Sequence, residues 1–220
     1  RCNSNKKSVF FFQGWFFSFY VILFIIAYWN DLSSFWEWSS VLAKFIYYKL
    51  LGWKVVGNTN FSKDTVKKAV IIAVPHTSWH DFYIGVLLRK VLGIKTNFIG
   101  KKELFVGPFG WYLRAIGGAP IDRKTNENKV DAIAKLFKDK DEFRITLAPE
   151  GTRKKVDEWR TGFYYIAKAA NVPIIMFTLD FENKQNRISE PFYTTDNIEA
   201  DFKFMRNFYE GVKGKIPEYS

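Results

Sequence analysis

The sequence predicts an α/β domain built on a largely parallel central sheet flanked by helices, preceded by an N-terminal two-helix membrane anchor. Three observations carry this expectation. Short apolar runs at 69–74 (AVIIAV) and 173–179 (PIIMFTL) have the length of buried strands. Between them, Val130, Ile133, Ala134 and Phe137 recur at helical spacing. Ahead of both, Val9 to Trp29 is almost wholly apolar, interrupted only by Gln13, Gly14 and Ser18. Strands alternating with helices favour a parallel sheet, because each helix returns the chain to the same end of the sheet.

The elements follow in order. The run 9–29 is long enough for a helix to cross a bilayer core, which takes about 20 residues. No small-residue cleavage site follows it, which argues against a signal peptide. A second segment, Phe35 to Leu51, carries Trp36, Trp38, Phe45, Tyr47 and Tyr48, aromatics suited to the membrane interface. Glu37, Lys44 and Lys49 keep it from being a clean second span, so an interfacial or dipping helix is expected. Basic residues ahead of the first helix favour a cytoplasmic N-terminus. A hairpin of two helices then returns the catalytic part to the cytoplasmic side. Residues 1–52 are read as this anchor and 53–220 as the catalytic domain.

Beyond the anchor, strands are expected at 69–74, 96–100, 117–121, 144–148 and 173–179. Pro75 and Pro149 close two of them. Helices are expected at 81–92, 126–138, 161–170 and 202–212. The last places Met205, Phe208 and Val212 on one stripe.

Charge narrows the partners. Lys and Arg total 33 against 22 Asp and Glu, a formal net charge of +11, which suits anionic lipids or phosphorylated substrates. A nucleic-acid recognition motif is absent from the sequence, and the anchor argues against that partner. The single cysteine, Cys2, excludes an intrachain disulfide. With two histidines, His76 and His80, the chain has little to offer a metal, so none is expected.

Ligands of open α/β sheets bind past the C-terminal ends of the strands. His76-Thr77-Ser78-Trp79-His80-Asp81 follows one strand, and Pro149-Glu150-Gly151-Thr152-Arg153 follows another. Histidine suits proton transfer near neutral pH, with an ordinary pKa of about 6.5. A carboxylate on one ring nitrogen fixes the tautomer and leaves the other as base. Asp81, about one helical turn on from His76, can supply it. Gly151 lets backbone approach a ligand closely, and Arg153 offers a planar fork for phosphate. Taken alone, either block also fits an ordinary surface turn.

Together the blocks are more specific. His-x4-Asp at 76–81, Gly117-x-x-x-Ile121-Asp122-Arg123, Pro149-Glu150-Gly151-Thr152-Arg153 and Val172-Pro173-Ile174 occur in that order. Over roughly residues 50–190 this resembles the glycerolipid acyltransferase family of 1-acylglycerol-3-phosphate acyltransferase type. Gly100-Lys101-Lys102-Glu103-Leu104 and Trp159-Arg160-Thr161-Gly162 are similar to further family segments. The resemblance implies that His76 is the general base and Asp81 its partner. It implies that Lys101, Arg123 and Arg153 hold an acceptor phosphate in a site shaped by Glu150, Gly151 and Thr152. Val172, Pro173 and Ile174 would line an acyl pocket. The donor would be acyl-CoA or acyl carrier protein as co-substrate, with no other cofactor, and the acceptor a lysophosphatidate-type lipid in phospholipid biosynthesis. Two departures stand out: Pro75 occupies a place often held by Asn, and the segment Lys154–Glu158 is strongly charged.

Other readings keep the same residues. The acceptor could be a lyso-aminolipid or another lysolipid. A non-catalytic basic membrane-binding module would explain the anchor and the charge but has no use for His76, Asp81, Glu150 and Arg153 together. A hydrolase would need a nucleophile, and Ser78 lacks a Gly-x-Ser-x-Gly elbow. Ser78 is expected instead to cap the helix that starts near Asp81.

Overall fold

The computed structural model describes residues 33–58, 60, 61, 65–121 and 129–220. The apolar run at 9–29 lies outside them, as does Arg123. Among the described residues no helix is long and apolar enough to cross a membrane.

Seven strands form one sheet: β1 (Lys54–Gly57), β2 (Lys68–Val74), β3 (Asn97–Lys101), β4 (Gly118–Ile121), β5 (Phe143–Leu147), β6 (Ile174–Thr178) and β7 (Gln185–Ile188). Their spatial order is β1-β7-β6-β2-β5-β3-β4. From β6 to β4 all neighbours are parallel; β7 pairs antiparallel with β6, and β1 runs parallel to β7. The largely parallel sheet is therefore present, with two short reversed strands on one edge.

The helices cover both faces. On one lie α1 (Ser33–Lys44), extended by a π-helical turn at Phe45–Leu50, then α2 (His80–Val91) and α3 (Gly107–Ala115). On the other lie α4 (Lys129–Asp139), α5 (Gly162–Ala170) and α6 (Ile198–Phe208). Strand β2 shows how alternation builds both cores. Ala69 and Ile71 pack toward Ala43, Tyr47, Ile84 and Leu87. Val70, Ile72 and Val74 pack toward Phe137, Phe163, Ile166 and Met205. Successive strand side chains point to opposite faces, so a strand apolar on both must be central.

The 35–51 segment is helical, and its inner side joins the domain. Ala43 and Tyr47 are fully buried, and the Tyr47 hydroxyl donates to Asn186 Oδ1 at 2.6 Å. At the other end of the sheet Arg144 is fully buried on β5. It donates to the carbonyl oxygens of Val66 and Lys95 at 2.6 and 3.4 Å and pairs with Glu142.

Some boundaries differ from expectation. The last helix starts four residues earlier than its apolar stripe suggests, because the Asn197 side chain accepts the Ala200 N–H at 3.0 Å and caps it there. It ends at Phe208, and Val212 falls beyond it. Helix α3 is absent from the sequence reading. Its opening Gly107-Pro108 reads as a turn, yet Pro fits the first helical turn, where its missing N–H costs nothing. Strands β1 and β7 carry no strand signal in the sequence: both are four residues long, and β7 carries Gln185, Asn186 and Arg187.

Candidate active site

Sheet register assembles the site. Ile72 of β2 lies beside Leu147 of β5. Residues just past both strands, His76 and Glu150, are thereby brought together although 74 positions separate them. A proline, which cannot donate to the ladder, follows each strand: Pro75 directly after β2 and Pro149 two residues past β5. The chain then turns across the sheet end.

His76 Nδ1 lies 2.9 Å from Asp81 Oδ2, with the imidazole 28% exposed and the carboxylate 2%. The same Oδ2 accepts the Ser78 N–H at 2.8 Å, so one oxygen sets both the ring and the loop. Asp81 sits in the first turn of α2, where the helix dipole favours a negative charge. With Nδ1 engaged, Nε2 is the ring nitrogen left for chemistry.

Glu150 is buried, and its Oε2 accepts the His76 N–H at 2.8 Å. Burial pushes its carboxyl up to about 7, against the pull of that N–H and of the His76 side chain; the Asp81 charge adds to the rise. Gly151 has φ of +64°, and a Cβ there would stand 2.5 Å from Arg160 Nε. The loop returns when the Arg160 N–H donates to the Pro149 carbonyl at 2.8 Å. This seats the Arg160 side chain against Gly151, a contact that the sequence does not signal.

The other expected residues divide. Thr152 and Arg153 are exposed on the same loop, with Thr152 Oγ1 accepting the Lys154 N–H at 3.3 Å. Lys101 is exposed at the end of β3, paired in register with Ile121 of β4. It thus shares the C-terminal end of the parallel strands with His76 and Glu150. Val172, Pro173 and Ile174 do not. Ile174 pairs with Val70, four residues before Val74, which is about 13 Å down the strand at ~3.3 Å per residue. There Val172 and Ile174 are buried with Phe143 and Ile145 in the core. Ser78 does not cap α2 as expected: Trp79 holds the N-cap position with no side-chain cap hydrogen bond, and Ser78 Oγ instead lies 2.8 Å from His80 Nδ1 and 3.4 Å from His80 N. Among the described residues no three His, Cys, Asp or Glu side chains come together as metal ligands would.

One contact had no signal in the sequence. The segment after α6 returns to the loop between β2 and α2, and the Ile216 N–H donates to Thr77 Oγ1 at 3.2 Å. Beside it, Lys215 adds to the burial that holds His80 below the ordinary histidine range, with Asp81 opposing.

A parallel α/β sheet with a His–Asp pair at its C-terminal end, beside a glycine-containing basic loop, is an arrangement suited to activating a hydroxyl. The family follows from comparison. This chain belongs to the acyltransferase family, whose model, described as Acyltransferase, matches residues 53–179. Over 135 residues it is 30% identical to a 1-acyl-sn-glycerol-3-phosphate acyltransferase of Streptococcus pneumoniae (strain ATCC BAA-255 / R6). That match covers 59% of this chain and 50% of the relative, so the chain spans about half the relative's length. The fold is similar to the crystal structure of the 1-acyl-sn-glycerophosphate (LPA) acyltransferase, PlsC, from Thermotoga maritima. The TM-score is 0.56 at 17% identity, covering 87% of this chain and 86% of the other.

Proposed function

We propose that this protein transfers a fatty acyl group from acyl-CoA or acyl carrier protein to the hydroxyl of a lysophosphatidate-type acceptor at a membrane surface. The observation that carries the reading is the His76 Nδ1–Asp81 Oδ2 contact at 2.9 Å with the imidazole 28% exposed. The acceptor oxygen attacks the thioester carbonyl while its proton passes to His76 Nε2. Asp81 stabilises the imidazolium that forms. The C–S bond then breaks, and the departing thiolate takes the proton. No covalent acyl-enzyme is needed, and a base in this role contributes about 10²–10⁴-fold to the rate.

Lys101 and Arg153, exposed at the same sheet end, supply positive charge for an acceptor phosphate. Arg123 is assigned to this group from the sequence alone. The membrane setting draws on the exposed apolar side chains. Among the described residues these concentrate on the α1–α3 side: Trp38, Val41, Phe45, Leu50, Leu104 and Val106. Lys44, Lys49, Lys101 and Lys102 lie among them. Apolar groups mixed with cations suit an anionic bilayer surface. A cytoplasmic orientation would give the site access to thioester donors. Protease protection of residues 60–220 in sealed cytoplasmic-side-in vesicles is the expected sign, and their digestion from outside would reject it.

The test is transfer of labelled acyl groups from acyl-CoA and acyl carrier protein to lysophosphatidate in liposomes, using wild type and His76→Ala. Activity in the first and loss in a folded second is the expected result. Transfer undiminished in His76→Ala would remove the assigned base. Transfer only to lyso-aminolipids would replace the acceptor and keep the chemistry.

A further inference from the structure

The catalytic loop is tied at three consecutive residues, two of them to distant parts of the chain and the third to the helix that follows it. The His76 N–H donates to Glu150, and the Ser78 N–H to Asp81. Between them Thr77, 2% exposed, accepts the Ile216 N–H through Oγ1 from 139 positions away. The first two ties belong to the acyltransfer machinery. The third belongs to a strap, residues 213–216, for which the reaction as derived has no use.

The strap is itself fastened. The Lys213 carbonyl accepts the Phe181 N–H at 2.9 Å, just past the end of β6, and Lys213 Nζ pairs with Glu182 Oε1 at 2.7 Å. The Gly214 N–H donates to Ser220 Oγ at 2.8 Å. Gly214 then passes so close to the loop that a Cβ would stand 2.5 Å from Thr77 Oγ1, 2.6 Å from Thr77 Cγ2 and 3.1 Å from Pro75 Cγ. Real Cβ atoms do not come as close as the two Thr77 atoms, the Pro75 contact is also tight, and neither neighbour has room to step aside. Thr77 is buried, and the Pro75 ring is closed on its own backbone.

We infer that Gly214 and Thr77 are positioning residues that hold the His76 backbone in register with Asp81 and Glu150. Three anchors on successive residues leave the loop little freedom to rotate. A base that must meet a hydroxyl within ~3 Å loses up to about 10²-fold when misplaced by ~1 Å. The strap thus acts on the turnover step through His76 without touching the acceptor. This inference rests on His76 being the base of acyl transfer.

Two substitutions at Thr77 separate positioning from general stability. Thr77→Val keeps the shape and removes the acceptor; Thr77→Ser keeps the acceptor and removes the methyl. In the liposome assay Thr77→Val is expected to lower kcat about tenfold or more with KM within about twofold, and Thr77→Ser to stay near wild type. Gly214→Ala, which forces the loop away, should match Thr77→Val. Should Gly214→Ala not fold, as read from thermal unfolding, the Thr77 pair decides. Amide hydrogen exchange of the 75–80 segment gives a readout independent of substrate and should quicken in Thr77→Val but not in Thr77→Ser. Wild-type kcat and exchange in Thr77→Val, or equal losses in both Thr77 variants, would overturn the inference. A wild type inactive toward every lysolipid, with exchange responding as expected, would instead sink the acyltransfer reading and leave the brace standing.

Discussion

Glu150 Oε2 accepts the main-chain N–H of His76 at 2.8 Å, so a buried carboxyl fixes the residue whose ring Asp81 orients. One carboxyl holds the histidine backbone and another its side chain. Their environments differ: burial dominates at Glu150, whereas Asp81 lies at a helix N-terminus against the imidazole and an amide.

Burial of Glu150 sets a pH dependence of stability. Glu150 is raised from 4.5 to about 7 in the folded protein. The folded state therefore binds its proton more tightly than the unfolded chain. Its contribution is fully present below pH 4.5 and is lost as pH rises through 7. Across that window wild type should lose on the order of 3 kcal/mol relative to Glu150→Gln, which does not titrate. Chemical denaturation of both proteins at several pH values between these limits checks the slope. Parallel curves would mean that Glu150 does not titrate in this range.

Asp81→Asn should keep the fold and lose turnover. An amide can still accept the Ser78 N–H through its oxygen but cannot offset a positive imidazole. A fall in kcat of about 10²–10⁴-fold with little change in KM is expected from steady-state kinetics. A fall confined to KM would place Asp81 in binding instead.

The dyad is legible in the sequence because His76 and Asp81 sit five residues apart on one loop-to-helix transition, where local geometry suffices. Glu150 is legible as a motif residue, but its contact with His76 depends on the β2–β5 register, which no local pattern encodes. The brace from Ile216 to Thr77 leaves no trace at all: a backbone N–H carries no sequence signature. Val172-Pro173-Ile174 shows the converse. Its motif resemblance is clear, but parallel register carries it to the far end of β6. The central strands were readable because both their faces are apolar; the edge strands β1 and β7 were not, being short and half polar.

Gly151→Ala should harm the site through two separable effects. Left-handed backbone costs a residue with a Cβ about 1–2 kcal/mol. The new methyl would also collide with Arg160. Thermal unfolding should show destabilisation, and Arg160→Ala in the same chain should restore the part due to the collision. No recovery in the double variant would assign the whole effect to the backbone.

Arg144→Met should be strongly destabilising without altering chemistry. It leaves the carbonyls of Val66 and Lys95 without their buried donor at the end of the sheet opposite His76. At ~1–3 kcal/mol per unsatisfied group, a loss of about 3 kcal/mol is expected in urea denaturation. Activity of the folded fraction should stay unchanged. A stability shift under about 1 kcal/mol would show that water replaces the guanidinium.

The burial of Tyr47 and Ala43 bears on how this protein should be shortened for laboratory use. A fragment starting at residue 53, where the family match begins, would discard two fully buried side chains and strip the cover from Ile84, Leu87 and Leu88. It would also leave Asn186 facing solvent without its phenol. A start upstream of Ser33 keeps all the described residues of α1, so a shortened version is best cut ahead of that helix rather than at the edge of sequence similarity.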